Sequence, residues 1–121
     1  MGWCDSFGAP GPWQELDRLL VRRHVRIGPP CLEQTTGGEH SATGNHPKRR
    51  ARDYSKAMGS DVETAARALL PLWDAGLLLE LYYAPMGIWL PSNVGGHEDH
   101  VHVAIRPGIR LVRLWHDDDD R

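Results

Sequence analysis

The run His100-Val-His-Val-Ala-Ile105 constrains the fold more than any other part of this chain. It alternates polar and apolar residues as a half-buried strand does. Successive strand side chains point to opposite faces, so His100 and His102 share one face and Val101, Val103 and Ile105 line the other. Two imidazoles side by side on a rigid strand are half of a metal site. Three of the seven histidines (His97, His100 and His102) fall within six positions here, behind Gly95-Gly96. The rest of the chain must supply a sheet around this strand and the remaining ligands.

A length of 121 residues fits one domain with a modest core. Hydrophobic residues at 40% and charged residues at 25% are ordinary globular values. The net charge of −2 argues against nucleic acid as the main partner, despite the basic runs Arg22-Arg23 and Lys48-Arg49-Arg50. Such runs read as solvated faces. No apolar run approaches the ~20 residues of a membrane span. The N-terminal stretch lacks a charged region followed by an apolar one, so no secretory signal is expected. Cys4 and Cys31 are too far apart for a zinc-knuckle pair and no second pair follows; a disulfide between them is open in an oxidising compartment.

Residues 1–12 are rich in Gly and Pro and read as an N-terminal arm. A single domain follows over 13–115, and 116–121 form an acidic tail. Trp13 to His24 has helical spacing, with Trp13, Leu16, Leu19, Leu20 and Val21 on or near one face, and Gly28-Pro-Pro30 is its expected stop. Residues 33–49 make a long polar, Gly-rich loop of the kind that is usually functional or disordered. A short strand is expected over Arg50–Tyr54. Ser60-Asp-Val-Glu63 has the form of a capping box, opening a helix whose stripe is Val62, Ala65, Ala66, Leu69, Leu70 and Trp73. Pro71 falls inside that helix and predicts a kink, since the carbonyl that it releases belongs to Arg67 on the polar face. Gly76 suits the C-terminal cap. Leu77–Tyr83 reads as a buried strand, His100–Ile105 as the next, and Arg110–Trp115 as an edge strand or hairpin partner. The order of elements is that of an α+β domain. Trp73, Tyr82 and Tyr83 are expected in the core, and Trp89, in a loop, as a groove wall. His24, His40 and His116 read as surface or loop residues.

The other half of the candidate site lies in Asn45-His-Pro-Lys-Arg-Arg-Ala-Arg-Asp53. His46 and Asp53 stand seven positions apart, at the end of the polar loop and on the short strand. With His102 they form a His, Asp, His set. Structural zinc sites normally close with four ligands, whereas catalytic sites keep three and leave the fourth position to water. Zinc brings the pKa of that water near neutrality. A neighbouring base is then needed: His100, on the same face as His102, comes first, followed by Asp99 and His97.

These two segments resemble those of the zinc peptidases typified by D-alanyl-D-alanine carboxypeptidase and the peptidoglycan endopeptidases, a group that includes lysostaphin and sonic hedgehog. That family shows Ser-x-His-x-x-Gly-x-Ala-x-Asp and later His-x-x-His-x-His or Glu-x-x-His. His46, Ala51 and Asp53 match the first segment; His97, His100 and His102 match the second. Glu80-Leu-Tyr-Tyr-Ala-Pro85 resembles the strand and turn before the last motif, and the likeness runs from about Thr35 to Ile105. The resemblance implies a small antiparallel sheet carrying the metal, flanked by two to three helices. It implies Zn2+ held by His46, Asp53 and His102, and His100 near the metal as base or transition-state stabiliser. The implied partner is a peptidoglycan peptide, cut in the manner of a carboxypeptidase or an endopeptidase. A substrate outside the cytoplasm then calls for a phage lysin released through a partner pore, a delivered toxin, or a fragment of a longer exported protein. The chain departs from the pattern twice, with Gly44 in place of the family's Ser and Arg49 in place of its Gly. Neither change removes a ligand. Both suit the rival reading, a weakened or inactive relative that binds cell-wall peptide or a protein. A third reading is a structural metal site closed by a fourth ligand such as His97.

Overall fold

The computed structural model describes residues 11–29 and 50–111. His46, His40, His116, Cys4, Cys31, Gly44, Arg49, the whole polar loop and the tail lie outside the described residues, as does the expected strand beyond Leu111. Arg110 and Leu111 themselves are not in a strand. The elements are α1 (Gln14–Arg22), β1 (Ala51–Ser55), α2 (Val62–Asp74), β2 (Leu78–Tyr83), β3 (Ile88–Leu90) and β4 (His100–Ile105), with short 3-10 turns at Lys56–Met58 and Ala84–Met86. Among the described residues this is an α+β arrangement of two helices and one four-stranded antiparallel sheet, in the order β1-β4-β2-β3. Among the described residues no helix is long and apolar enough to cross a membrane.

Helix α1 buries Leu16, Leu19 and Leu20, with Trp13 buried just before its first residue, the spacing of one helical face. Val21 was expected on or near that face, but it lies one position round from Leu20 and is 56% exposed. The helix also stops before Gly28-Pro-Pro30. His24 takes a left-handed conformation (φ 61°), His24 N–H donates to the Val21 carbonyl, and Val25 N–H donates to the Leu20 carbonyl. That is the Schellman pattern of helix termination, here with His where Gly is usual.

Helix α2 buries Val62, Ala65, Ala66, Leu69 and Leu72, while Leu70 and Trp73 are only partly buried. Its cap is Asp61, not Ser60. Asp61 Oδ1 accepts from Thr64 N–H at 3.3 Å and Oδ2 from the Thr64 hydroxyl at 2.8 Å. The buried Ser60 hydroxyl instead accepts from Gly28 N–H at 2.8 Å, so the expected capping box does not form. Pro71 sits inside the helix on its exposed side, and the left-handed Gly76 (φ 78°) follows the cap residue Ala75.

Both helices contribute to one apolar core with a single face of the sheet, formed by Tyr54, Leu81, Tyr83, Val101, Val103 and Ile105. Strand β4 is central, paired with β1 on one side and β2 on the other, and all six of its residues are buried. His100 and His102 therefore project from a central strand of this sheet, on the face away from the core. Strand β3 was not expected. Three residues are too short to reveal a period, so Trp89 stands on a strand and not in a loop.

Candidate metal centre

Pairing across the sheet sets Asp53 opposite His102, and His102 opposite Tyr82. Tyr82 is in turn opposite Trp89 on β3. Because residues two apart share a face, Asp53, His102, Tyr82 and Glu80 all stand on the side of the sheet away from the core, with Ser55 and His100 one step along. Tyr82, expected in the core, belongs to this face; Tyr83, its neighbour, does pack in the core.

His102 is the focus. Its Nδ1–H donates to Asp53 Oδ1 at 3.1 Å and its Nε2–H donates to Glu80 Oε1 at 2.9 Å. Burial opposes a charge on this ring, but the two carboxylates outweigh it, and the pKa is pushed up to about 9. The ring is thus an imidazolium held between Asp53, which is fully buried, and the partly exposed Glu80.

Asp53 and His102 suit a metal by the chemistry of their donors and by their spacing. Two N/O ligands at ~2.1 Å from a tetrahedral zinc ion stand roughly 3.4 Å apart. The observed separation of 3.1 Å between Oδ1 and Nδ1 is that of a hydrogen bond and lies within a few tenths of that value. Glu80 cannot join them on one ion, because it faces the other ring nitrogen. Accordingly, among the described residues no group of three or more His, Cys, Asp and Glu side chains is arranged to hold a metal. The third expected ligand, His46, lies outside them.

Around His102 the aromatic rings close in. Tyr82 stacks on it with centroids 5.4 Å apart and planes at 15°. The His97 ring is 5.5 Å from His102, 5.0 Å from His100 and 5.0 Å from Tyr82. Trp89 is 6.2 Å from both Tyr82 and His97. His97 holds a left-handed φ of 61°, a conformation uncommon outside Gly. Its carbonyl accepts from Ala84 N–H and its Nδ1–H donates to the Gly95 carbonyl at 2.8 Å. Burial pushes its pKa below the ordinary value, so the ring is neutral at pH 7 and its Nε2 carries a lone pair. His100 is buried and its Nδ1–H donates to Asp99 Oδ1 at 2.7 Å, while Asp99 reaches into solvent. The segment Val94–His100 borders an open cleft of about 640 Å³, within the range of ligand sites.

Two residues of this site were not singled out from the sequence as functional. Glu80 is the only charged residue in Leu77–Tyr83, and a lone carboxylate in an apolar strand is the signal that could have found it. Tyr82, two positions on, follows by alternation. Its hydroxyl donates to Glu80 Oε2 at 3.4 Å, and burial together with the Glu80 charge pushes its pKa up to about 12. Outside this face, Arg26 Nε–H donates to the Gly59 carbonyl at 2.9 Å, beside the turn that leads into α2. Comparison of the chain with protein-family models, with curated proteins and with solved structures finds no match.

Proposed function

We propose that this protein is a zinc-dependent peptidase that hydrolyses stem peptides or cross-links of bacterial peptidoglycan, with His46, Asp53 and His102 as the metal ligands. The observation that carries the reading is the buried pair Asp53–His102, an oxygen and a nitrogen donor 3.1 Å apart on adjacent strands. Support comes also from the local pattern of His97, His100 and His102, which puts two further imidazoles beside the pair. When bound, zinc supplies a Lewis acid for the scissile carbonyl and an acidified water at neutral pH.

The chain's own groups do the rest. Asp99 holds Nδ1–H of His100, which in the neutral ring leaves Nε2 to accept a proton as general base. His97, neutral and fixed by the Gly95 carbonyl, offers an acceptor to a substrate N–H. Trp89 forms one wall of the groove and the cleft beside residues 94–100 receives the peptide.

Elemental analysis of the purified protein beside His102→Ala tests the metal. About one zinc per chain is expected, lost in the variant; no zinc in the wild type, and none taken up on addition, overturns the reading. His100→Ala is expected to keep the zinc and lose muropeptide hydrolysis. Gly44 and Arg49, where the related pattern has Ser and Gly, favour a second reading in which the groove binds cell-wall peptide without cutting it. Full zinc occupancy with peptide binding but no turnover in the wild type selects that alternative.

A further inference from the structure

The carboxylate that meets His102 from the side opposite Asp53 has no place in that assignment of ligands. We infer that Glu80 is a positioning residue: it binds Nε2–H of His102 and so commits Nδ1 to the metal. The inference rests on the zinc reading above, and concerns the residue that aims one of its ligands.

A neutral imidazole has one N–H and one lone pair, and which nitrogen carries which is decided by the hydrogen bonds available. At His102 the two nitrogens face different carboxylates, Asp53 Oδ1 at 3.1 Å and Glu80 Oε1 at 2.9 Å. When a cation replaces the proton between Nδ1 and Asp53, only Nε2–H remains, and Glu80 is its acceptor. The tautomer with its lone pair on Nδ1 is then the one that the site selects. Orientation is fixed at the same time. Glu80 spends its second oxygen on the Tyr82 hydroxyl, and the Tyr82 ring lies flat against the imidazole. The His102 ring is thus held along its edge by a carboxylate and over its face by a stacked ring. Glu80 and Tyr82 share one face of β2, and Tyr82 is directly opposite His102, so strand pairing itself delivers both restraints. Carboxylates that hold the distal nitrogen of a ligating histidine typically change metal affinity 10–100-fold when removed.

The test is zinc affinity by chelator competition, for the wild type, Glu80→Ala, Glu80→Gln and Asp53→Ala. Ring-nitrogen NMR of His102 in the zinc-loaded state accompanies it, with circular dichroism to establish that each variant is folded. Glu80→Ala is expected to weaken zinc binding roughly 10–100-fold. Its His102 Nε2–H is expected to lose the downfield, slowly exchanging signal of a carboxylate-bonded proton. Glu80→Gln, whose amide oxygen can still accept, should recover most of the affinity. Glu80→Ala with unchanged affinity and an unchanged Nε2–H signal overturns the inference, while loss of zinc in Asp53→Ala leaves the metal reading standing. A wild type that binds no zinc overturns both, and is told apart because every variant then matches it.

Discussion

His102 lies between two carboxylates, and that placement makes its proton a stabilising element of the folded protein. The free side chain titrates near 6.5, whereas the folded protein pushes it up to about 9. A pKa raised by folding stabilises the native state fully below the unfolded value, and the contribution fades as pH rises through the folded one. In the presence of a chelator, the urea midpoint is therefore expected to fall between pH 6.5 and pH 9, by an amount on the order of 3 kcal/mol in unfolding free energy. His102→Gln, which carries no titrating ring, should lose that dependence. A midpoint that holds steady or climbs through this window in the wild type would exclude the doubly bonded imidazolium. His102 itself was legible from the alternation of one strand. Glu80 was not, because its approach to Nε2 depends on the pairing of β2 with β4 and on the irregular register between Leu78 and Glu80. No local period encodes a contact between residues 22 positions apart.

At the scale of elements, the long periodic segments were readable and their ends were not. The bounds of β4 are those the alternation gives, and α2 is the helix that its stripe predicts, displaced by one position from Trp73 to Leu72. The ends depend on single hydrogen bonds. Ser60 has the right chemistry for a cap, but its hydroxyl is taken by Gly28 N–H, 32 residues earlier in the chain, and the next residue caps the helix instead. The two roles separate by mutation. Asp61→Ala removes the oxygens that hold Thr64 and should lower the thermal midpoint measurably. Glu63→Ala, which would matter in a capping box, should leave it in place. Ser60→Ala should cost about 1–3 kcal/mol, because it removes the acceptor of a buried backbone N–H. Thermal melts of the three variants check the assignment, and a larger loss in Glu63→Ala than in Asp61→Ala would restore the capping box. The C-terminus of α1 is the same lesson in reverse, for a left-handed His24 gives no warning in sequence of the kind that Gly gives.

At the scale of the molecule, the sheet separates a core face from a site face, and one buried cation joins them. Arg52 is on β1 beside Asp53 but points the other way, into the core, where its side chain is fully buried. Its Nε donates to Asp17 Oδ1 at 2.8 Å and its Nη2 to the Gly28 carbonyl at 2.9 Å. Its Nη1 donates to the carbonyl of Asp53 itself. The Tyr54 hydroxyl donates to the same Asp17 oxygen at 2.7 Å, and the guanidinium lies 4.3 Å from the Tyr54 ring centroid. A buried charge is retained only where its partners are arranged this completely, so the network fixes how α1 sits against the strand that carries Asp53. Removing one member leaves the other charge uncompensated. Arg52→Ala is expected to cost about 3–5 kcal/mol of stability. Asp17→Asn, which keeps the shape and removes the charge, should cost less, and the double variant should cost less than the sum because the two act as one unit. Urea denaturation of the four proteins measures that coupling; strict additivity would show that Arg52 and Asp17 are independent. The same network predicts an effect on the far side of the sheet. Arg52 holds the backbone of Asp53, so if zinc binds as proposed, Asp17→Asn, folded but with a loosened guanidinium, should bind it more weakly than the wild type. Chelator competition under conditions where both proteins are fully folded decides it: equal affinity would mean that β1 is held in place by its pairing with β4 alone.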